Sequence, residues 1–143
     1  MAISRPKAIF LDSNIALRFL TQDDPTRYTE TARLFQAIER GALKPVLSNI
    51  VIAEVIFVLT RLYKFDRLRA YKAAALLLRL RNLTLIERTD TRRAIEIWKE
   101  HNIKYGDCLI ASQIPKNTVL VTYDAEFKKI EGLRAMTPDQ FVT

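Results

Sequence analysis

The sequence predicts a single α/β domain, a mostly parallel central sheet covered by helices on both faces. Three observations predict it. Short apolar runs of strand length alternate with longer helical segments through residues 1–143. Helix start and stop signals punctuate the segments, such as Asp24-Pro25 before one helix and Gly41 after it. Acids stand where apolar runs end, as Asp12 does after Ile9-Phe10-Leu11.

Taken in order, Lys7 to Asp12 (KAIFLD) reads as a buried strand and Asn14 to Leu20 as a helix. A second helix starts at Asp24-Pro25 and runs to about Arg40. Pro45 to Leu47 is a short strand, and Ser48 or Asn49 can cap the helix that continues to about Lys64. Asp66 caps the next helix, whose apolar side is read as Leu68, Ala75, Leu76 and Leu80. Asn82 ends it, and Leu83 to Ile86 is a third strand. Thr91 to His101 is amphipathic, with Ala94, Ile95, Ile97 and Trp98 apolar. After Gly106 a helix runs from Asp107 to about Ile114, closed by Pro115. Thr118 to Thr122 is the clearest strand; a short helix at Ala125 to Lys129 and an edge strand at Leu133 to Met136 complete the pattern. Ligands of such sheets bind at the carboxyl ends of the strands.

Composition narrows the chemistry. A chain of 143 residues is long enough to bury roughly 68–70% of its unfolded surface. The longest apolar run, Ile50 to Leu59, is too short for a bilayer and contains Glu54. MAISRPKAIFLD is not a secretory leader, and the lone Cys108 permits no internal disulfide, so the expected location is cytoplasmic. One His and one Cys cannot build a structural zinc site, and the three glycines form no phosphate-cradling loop. A net charge of +7 favours anionic partners, nucleic acid first. What remains in quantity is oxygen ligands, suited to hard cations.

Four carboxylates stand out against that basic background. Asp12 and Asp124 lie at strand ends, where each can also serve as a helix N-cap. Glu54 is the one polar residue of ten between Ile50 and Leu59; buried, it needs a metal or an ion pair with an Arg such as Arg18 or Arg61. Asp107 opens DCLIAS, a cap position from which a carboxylate can also turn to a metal. Four carboxylates packed together repel unless cations lie between them, and two divalent ions can hydrolyse a phosphodiester without a catalytic His. Asn14, Ser48 and Thr122 are short polar side chains that can orient the acids or simply cap helices. Arg18, Lys104, Lys116, Lys128 and Lys129 lie near the acidic segments in sequence and can meet phosphates; Tyr105 and Tyr123 can stack on bases or pack in the core.

These segments resemble the four motifs of the PIN domain, and within it the VapC-type toxins of prokaryotic toxin–antitoxin pairs. FLDSNIALRFLT looks like the first motif, SNIVIAEVIFVL the second with Glu54, YGDCLIAS the third with Asp107, and VLVTYDAEF the fourth with Thr122, Asp124 and Phe127. Their order and spacing cover nearly the whole chain. The resemblance implies a three-layer α/β/α fold, Mg2+ or Mn2+ dependence and endoribonuclease activity. It also implies homodimers and inhibition by a VapB-type antitoxin laid across the active-site groove. The chain departs from the pattern at the Gly-free turn Ile114-Pro115-Lys116-Asn117.

Two other readings fit some residues. A PIN-like module could bind RNA or protein without cutting. A receiver-like or phosphatase-like domain would use Asp12 as phosphoacceptor, but it would want more acid beside Asp12 than Ser13 and Asn14, and leaves Glu54 without a role. The apolar segments Ile50 to Tyr63 and Tyr71 to Leu80 exceed what a small core needs and suggest a partner surface, a second copy or an antitoxin helix. Trp98 and Cys108 read as core residues.

Overall fold

Five strands form one sheet in the order β3-β2-β1-β4-β5, parallel at every pair. They are β1 (Lys7–Leu11), β2 (Leu43–Ser48), β3 (Thr84–Ile86), β4 (Val119–Val121) and β5 (Ala135–Met136). A computed structural model describes residues 6–141; the first five residues of the N-terminal stretch read above as no leader lie outside it. The helices are α1 (Ser13–Thr21), α2 (Pro25–Glu39), α3 (Asn49–Arg61), α4 (Arg67–Leu78), α5 (Thr91–Glu100), α6 (Tyr105–Gln113) and α7 (Pro138–Phe141), with a 3-10 turn at Ala125–Lys129. α1 to α4 pack on one another as one group and α5 on α6 as another. The sheet they flank is that of a three-layer α/β/α domain. No described helix is long and apolar enough to cross a membrane.

The central strands are continuous apolar runs because both their faces are covered. Ile9, Phe10 and Leu11 of β1 are fully buried, as are Leu47 of β2 and Leu120 and Val121 of β4. Local chemistry sets the helix limits. Asp24 accepts a hydrogen bond from Arg27 N at 3.1 Å, with Pro25 opening α2. Gly41 takes the left-handed conformation, φ +79°, that lets the chain reverse into β2.

Strand order places the ligand crevice. From β1 the chain moves outward to β2 and β3, then crosses back to enter β4 on the other side of β1. That reversal makes the gap between β1 and β4 the switch point, and in such sheets the crevice opens at the carboxyl ends there. Asp12 follows β1 and Thr122 to Asp124 follow β4, so both segments meet at this point. Receiver-type sheets run 2-1-3-4-5 instead, which argues against the phosphoacceptor reading.

Three expectations of burial need correction. In α4 the covered residues are Ala70 and Leu77, whereas Leu68 and Leu76 are 62% and 50% exposed. In α5, Ala94 and Ile97 are buried, but Ile95 is exposed and Trp98 is 53% exposed, so Trp98 is not a core residue. α3 is not apolar and buried all round: Val51, Val55 and Leu59 face the core, while Ile56 and Phe57 face out. Hydropathy records only that a side chain resists water; which side of a helix is covered depends on neighbours brought from elsewhere in the chain. Cys108 is buried as expected.

Candidate active site

Asp12 directly follows β1 and is 3% exposed. One carboxylate oxygen accepts from Ser13 N at 2.7 Å, capping α1. The other accepts from the Thr122 hydroxyl at 2.6 Å and from Asn14 Nδ2 at 3.2 Å. The cap and site readings of Asp12 are therefore compatible. Burial pushes its pKa up; the bonds from Thr122 and Ser13 oppose this, and Glu54 and Asp124 add repulsion.

Thr122 is the hub of this corner. Besides donating to Asp12, its hydroxyl oxygen accepts from Asp124 N at 3.0 Å and lies 3.3 Å from Asn14 Nδ2. Asn14 in turn accepts from Tyr123 N at 3.2 Å. One threonine and one asparagine thus tie the end of β1 to the end of β4. Asp124 is half-buried and accepts from Glu126 N at 2.9 Å, capping the 3-10 turn.

Asp107 differs from its expected placement. α6 begins at Tyr105 rather than Asp107, and Lys104 stands at the cap position without a side-chain bond. Asp107 is therefore the third helical residue and not the cap. Its Oδ2 is buried with no hydrogen-bond partner among the described residues. Its pKa is raised to about 6, by burial first and then by the charges of Asp12, Asp124 and Glu54, while Lys104 opposes. Asp107 therefore feels all three other acids.

Glu54 lies half-buried on α3, which touches α6. Neither ion pair considered for it forms: Arg18 binds Asp23 at 3.2 Å, and the Arg61 guanidinium stands over the Phe57 ring. A Cβ added to Gly106 would sit 3.4 Å from Glu54 Oε1, an ordinary contact. Gly106→Ala should then raise stability by about 0.5–1 kcal/mol, since alanine favours the helix. Thermal unfolding checks this; a loss of stability would mean that Glu54 cannot accommodate the methyl.

Of the other predicted residues, Ser48 is buried and spends its hydroxyl on Val51 N at 3.2 Å, capping α3. Lys104 stands near Asp107. Tyr105 is half-buried edge-on to Trp98, ring centres 5.9 Å apart. Arg18 is engaged by Asp23, and Lys129 by Glu126 at 2.6 Å. The Tyr123 hydroxyl donates to Glu30 at 2.8 Å. Lys116 precedes β4 and lies at the amino-terminal edge of the sheet, away from the acids. The unusual turn Ile114–Asn117 lies with it, so that departure does not touch the acidic groove.

Gln113 was not anticipated. It is buried at the end of α6, and its Nε2 donates to Asn49 Oδ1 at 3.0 Å and Arg88 O at 2.9 Å. It ties α6 to the start of α3, fixing the helices that carry Asp107 and Glu54. Its only signal was a polar residue closing an apolar helix.

The donor set is all oxygen, and a buried carboxylate oxygen without a partner is the group a cation or a proton would satisfy. Among the described residues no three acidic, His or Cys side chains converge closely enough to enclose a metal. Mg2+ does not require that, because it binds one or two carboxylates and keeps several waters. The residues present fit a hard divalent cation.

The model of the PIN domain family matches residues 9–133, and the chain belongs to that family. Its fold is shared with VapBC2 of Rickettsia felis bound to promoter DNA: 24% identity, TM-score 0.66, covering 91% of this chain and 98% of that one. It is shared with the sarcin-ricin-loop-cleaving toxin VapC20 of Mycobacterium tuberculosis, at 18% identity and TM-score 0.64, covering 85% and 93%. It is also shared with DNA-bound VapBC of Salmonella typhimurium, at 18% identity and TM-score 0.62, covering 93% and 98%. No curated protein matches the sequence significantly.

Proposed function

We propose that this protein is a metal-dependent endoribonuclease toxin of the VapC kind. The observation that carries the reading is the acidic corner at the β1–β4 switch point, where Asp107 keeps a buried, unpartnered Oδ2 and its carboxyl is raised by the charges of Asp12, Asp124 and Glu54 as well as by burial. These four carboxylates would hold Mg2+ or Mn2+, one or two of them directly and the others through its waters. A bound ion would activate water and stabilise the leaving oxygen of a phosphodiester. The chain's own residues preorganise the corner: Thr122 and Asn14 hold Asp12 in one rotamer, and Gln113 holds α6 against α3. Lys104 can steady a backbone phosphate, and Tyr105 can offer a ring to a base. The net charge of +7 supports an RNA substrate.

The test is cleavage of a mixed RNA pool with Mg2+ or Mn2+ by the parent and by Asp12→Asn. Cleavage by the parent alone is expected; equal cleavage by both would remove the proposal. A second reading, a PIN-like module that binds RNA or protein without cutting, draws on the spacing of the acids, no three of which converge closely among the described residues. Tight RNA binding without cleavage under any divalent metal would favour it.

A VapB-type antitoxin and a second copy of the chain are the proposed partners, and the cytoplasm the proposed location. Fold similarity to VapBC complexes supports the antitoxin. Exposed Phe57, Leu62, Leu68 and Tyr71 on and between α3 and α4 support a protein partner.

A further inference from the structure

A cavity of about 800 Å³ lies away from the acidic corner. It opens at the opposite edge of the sheet, where β1 and β4 begin. Four cationic side chains line it, each from a different part of the chain: Lys7 starts β1, Arg93 lies in the first turn of α5, Lys116 precedes β4 and Arg134 precedes β5. One carboxylate, Glu131, lines it with them, which leaves an excess of three positive charges. The ion pairs among the described residues lie elsewhere, so none of the four cations is within 4.0 Å of a described carboxylate. Ile97, Val119 and Ile130 give the cavity an apolar floor, and each is buried.

Four like charges gathered from four segments repel one another. Charges of one sign around a cleft with low-dielectric walls focus the field and concentrate counter-ions. The mixture of groups narrows the ligand. Two guanidinium forks match phosphate oxygens bidentately, and two ammonium groups act as point charges beside them. A single carboxylate ligand would leave most of the charge uncompensated, whereas a phosphate dianion or consecutive phosphodiesters would not. The volume lies within the range of small-ligand sites, about 300–1,000 Å³.

We propose that this cleft is a phosphate-binding site for a nucleotide-sized ligand, separate from the acidic corner. Such a ligand has two possible sources, a free phosphorylated small molecule or the backbone of a nucleic acid. The proposal does not depend on RNA cleavage at the acidic corner. Its test is backbone-amide NMR of the full chain without divalent metal, titrated with inorganic phosphate, a mononucleotide, a short single-stranded oligoribonucleotide and, as a control, an acidic peptide. Saturable shifts are expected at residues 116–118 and 131–134. Arg93→Gln combined with Lys116→Gln should weaken binding at least tenfold while leaving a dispersed spectrum. The slope of log affinity against log salt should fall by about one to two.

Tighter binding of the mononucleotide than of the oligomer would assign a small molecule, and the reverse a nucleic-acid backbone. Unsaturable shifts, shifts confined to the acidic edge, affinity unchanged in the double variant, or equal affinity for an acidic peptide would each overturn the proposal. Loss of cleavage in Asp12→Asn does not bear on it, so the two proposals fail separately.

Discussion

Asp107→Asn is expected to make the metal-free protein more stable at neutral pH while sharply lowering RNA cleavage. The carboxyl of Asp107 is raised to about 6 from an ordinary value of 3.8. The folded protein therefore holds that proton more tightly than the unfolded chain does. The resulting stability is fully present below pH 3.8 and is lost as pH rises through about 6. Above that, the ionised group opposes folding. The shift would be worth about 3 kcal/mol in a fully buried site, and about 1–2 kcal/mol once solvent screening of the partly exposed Asp107 is allowed for.

An amide cannot ionise, so the substitution would remove the penalty near pH 7.5 and change little near pH 4. Melting in EDTA at both pH values measures this difference. The same substitution removes a proposed metal ligand, and cleavage should fall by about 10²–10³-fold. A variant that melts like the parent at pH 7.5, or that cleaves at the parental rate, would contradict the role given to the unpartnered oxygen.

Thr122→Val is expected to lose both stability and activity. Valine keeps the shape but removes the donor to Asp12 and the acceptor used by Asp124 N and Asn14. Losing a buried bond to a charged group, with partners left unpaired, should cost about 2–3 kcal/mol and lower Tm by on the order of 5–10 °C. Asp12 would also lose a bond that holds its pKa down, so its carboxyl should rise further. Cleavage should fall about 10–100-fold, with the ascending limb of its pH profile displaced upward. Thr122→Ser, which retains the hydroxyl, should restore most of both. If valine and serine behave alike, the hydroxyl is not what holds this corner together.

The acids were legible in the sequence to different degrees, and the structure reorders them. Glu54 looked compelling because its neighbours are apolar, yet part of that apolar helix faces outward. What singles Glu54 out is the absence of either expected Arg partner and its closeness to Gly106. Asp107 could be read as a cap, but α6 begins two residues earlier, so its carboxylate is left for other use. Lys116 looked close to the acids because only eight positions separate it from Asp124; a strand running between them carries it to the opposite edge.

The sequence by itself determined the order of elements as far as β5 but not α7, the caps at Asp12, Asp24, Ser48 and Asp66, and the placing of Asp12 and Asp124 after strands. Capping, turn chemistry and periodicity act over a few residues, so a linear reading captures them. Only the tertiary structure decided which helix faces are covered, which acids sense one another, and that cations far apart in the chain share a cleft. Burial, charge coupling and the missing partner of Asp107 depend on side chains about a hundred positions apart, as with Asp12 and Thr122, and no local pattern encodes those distances.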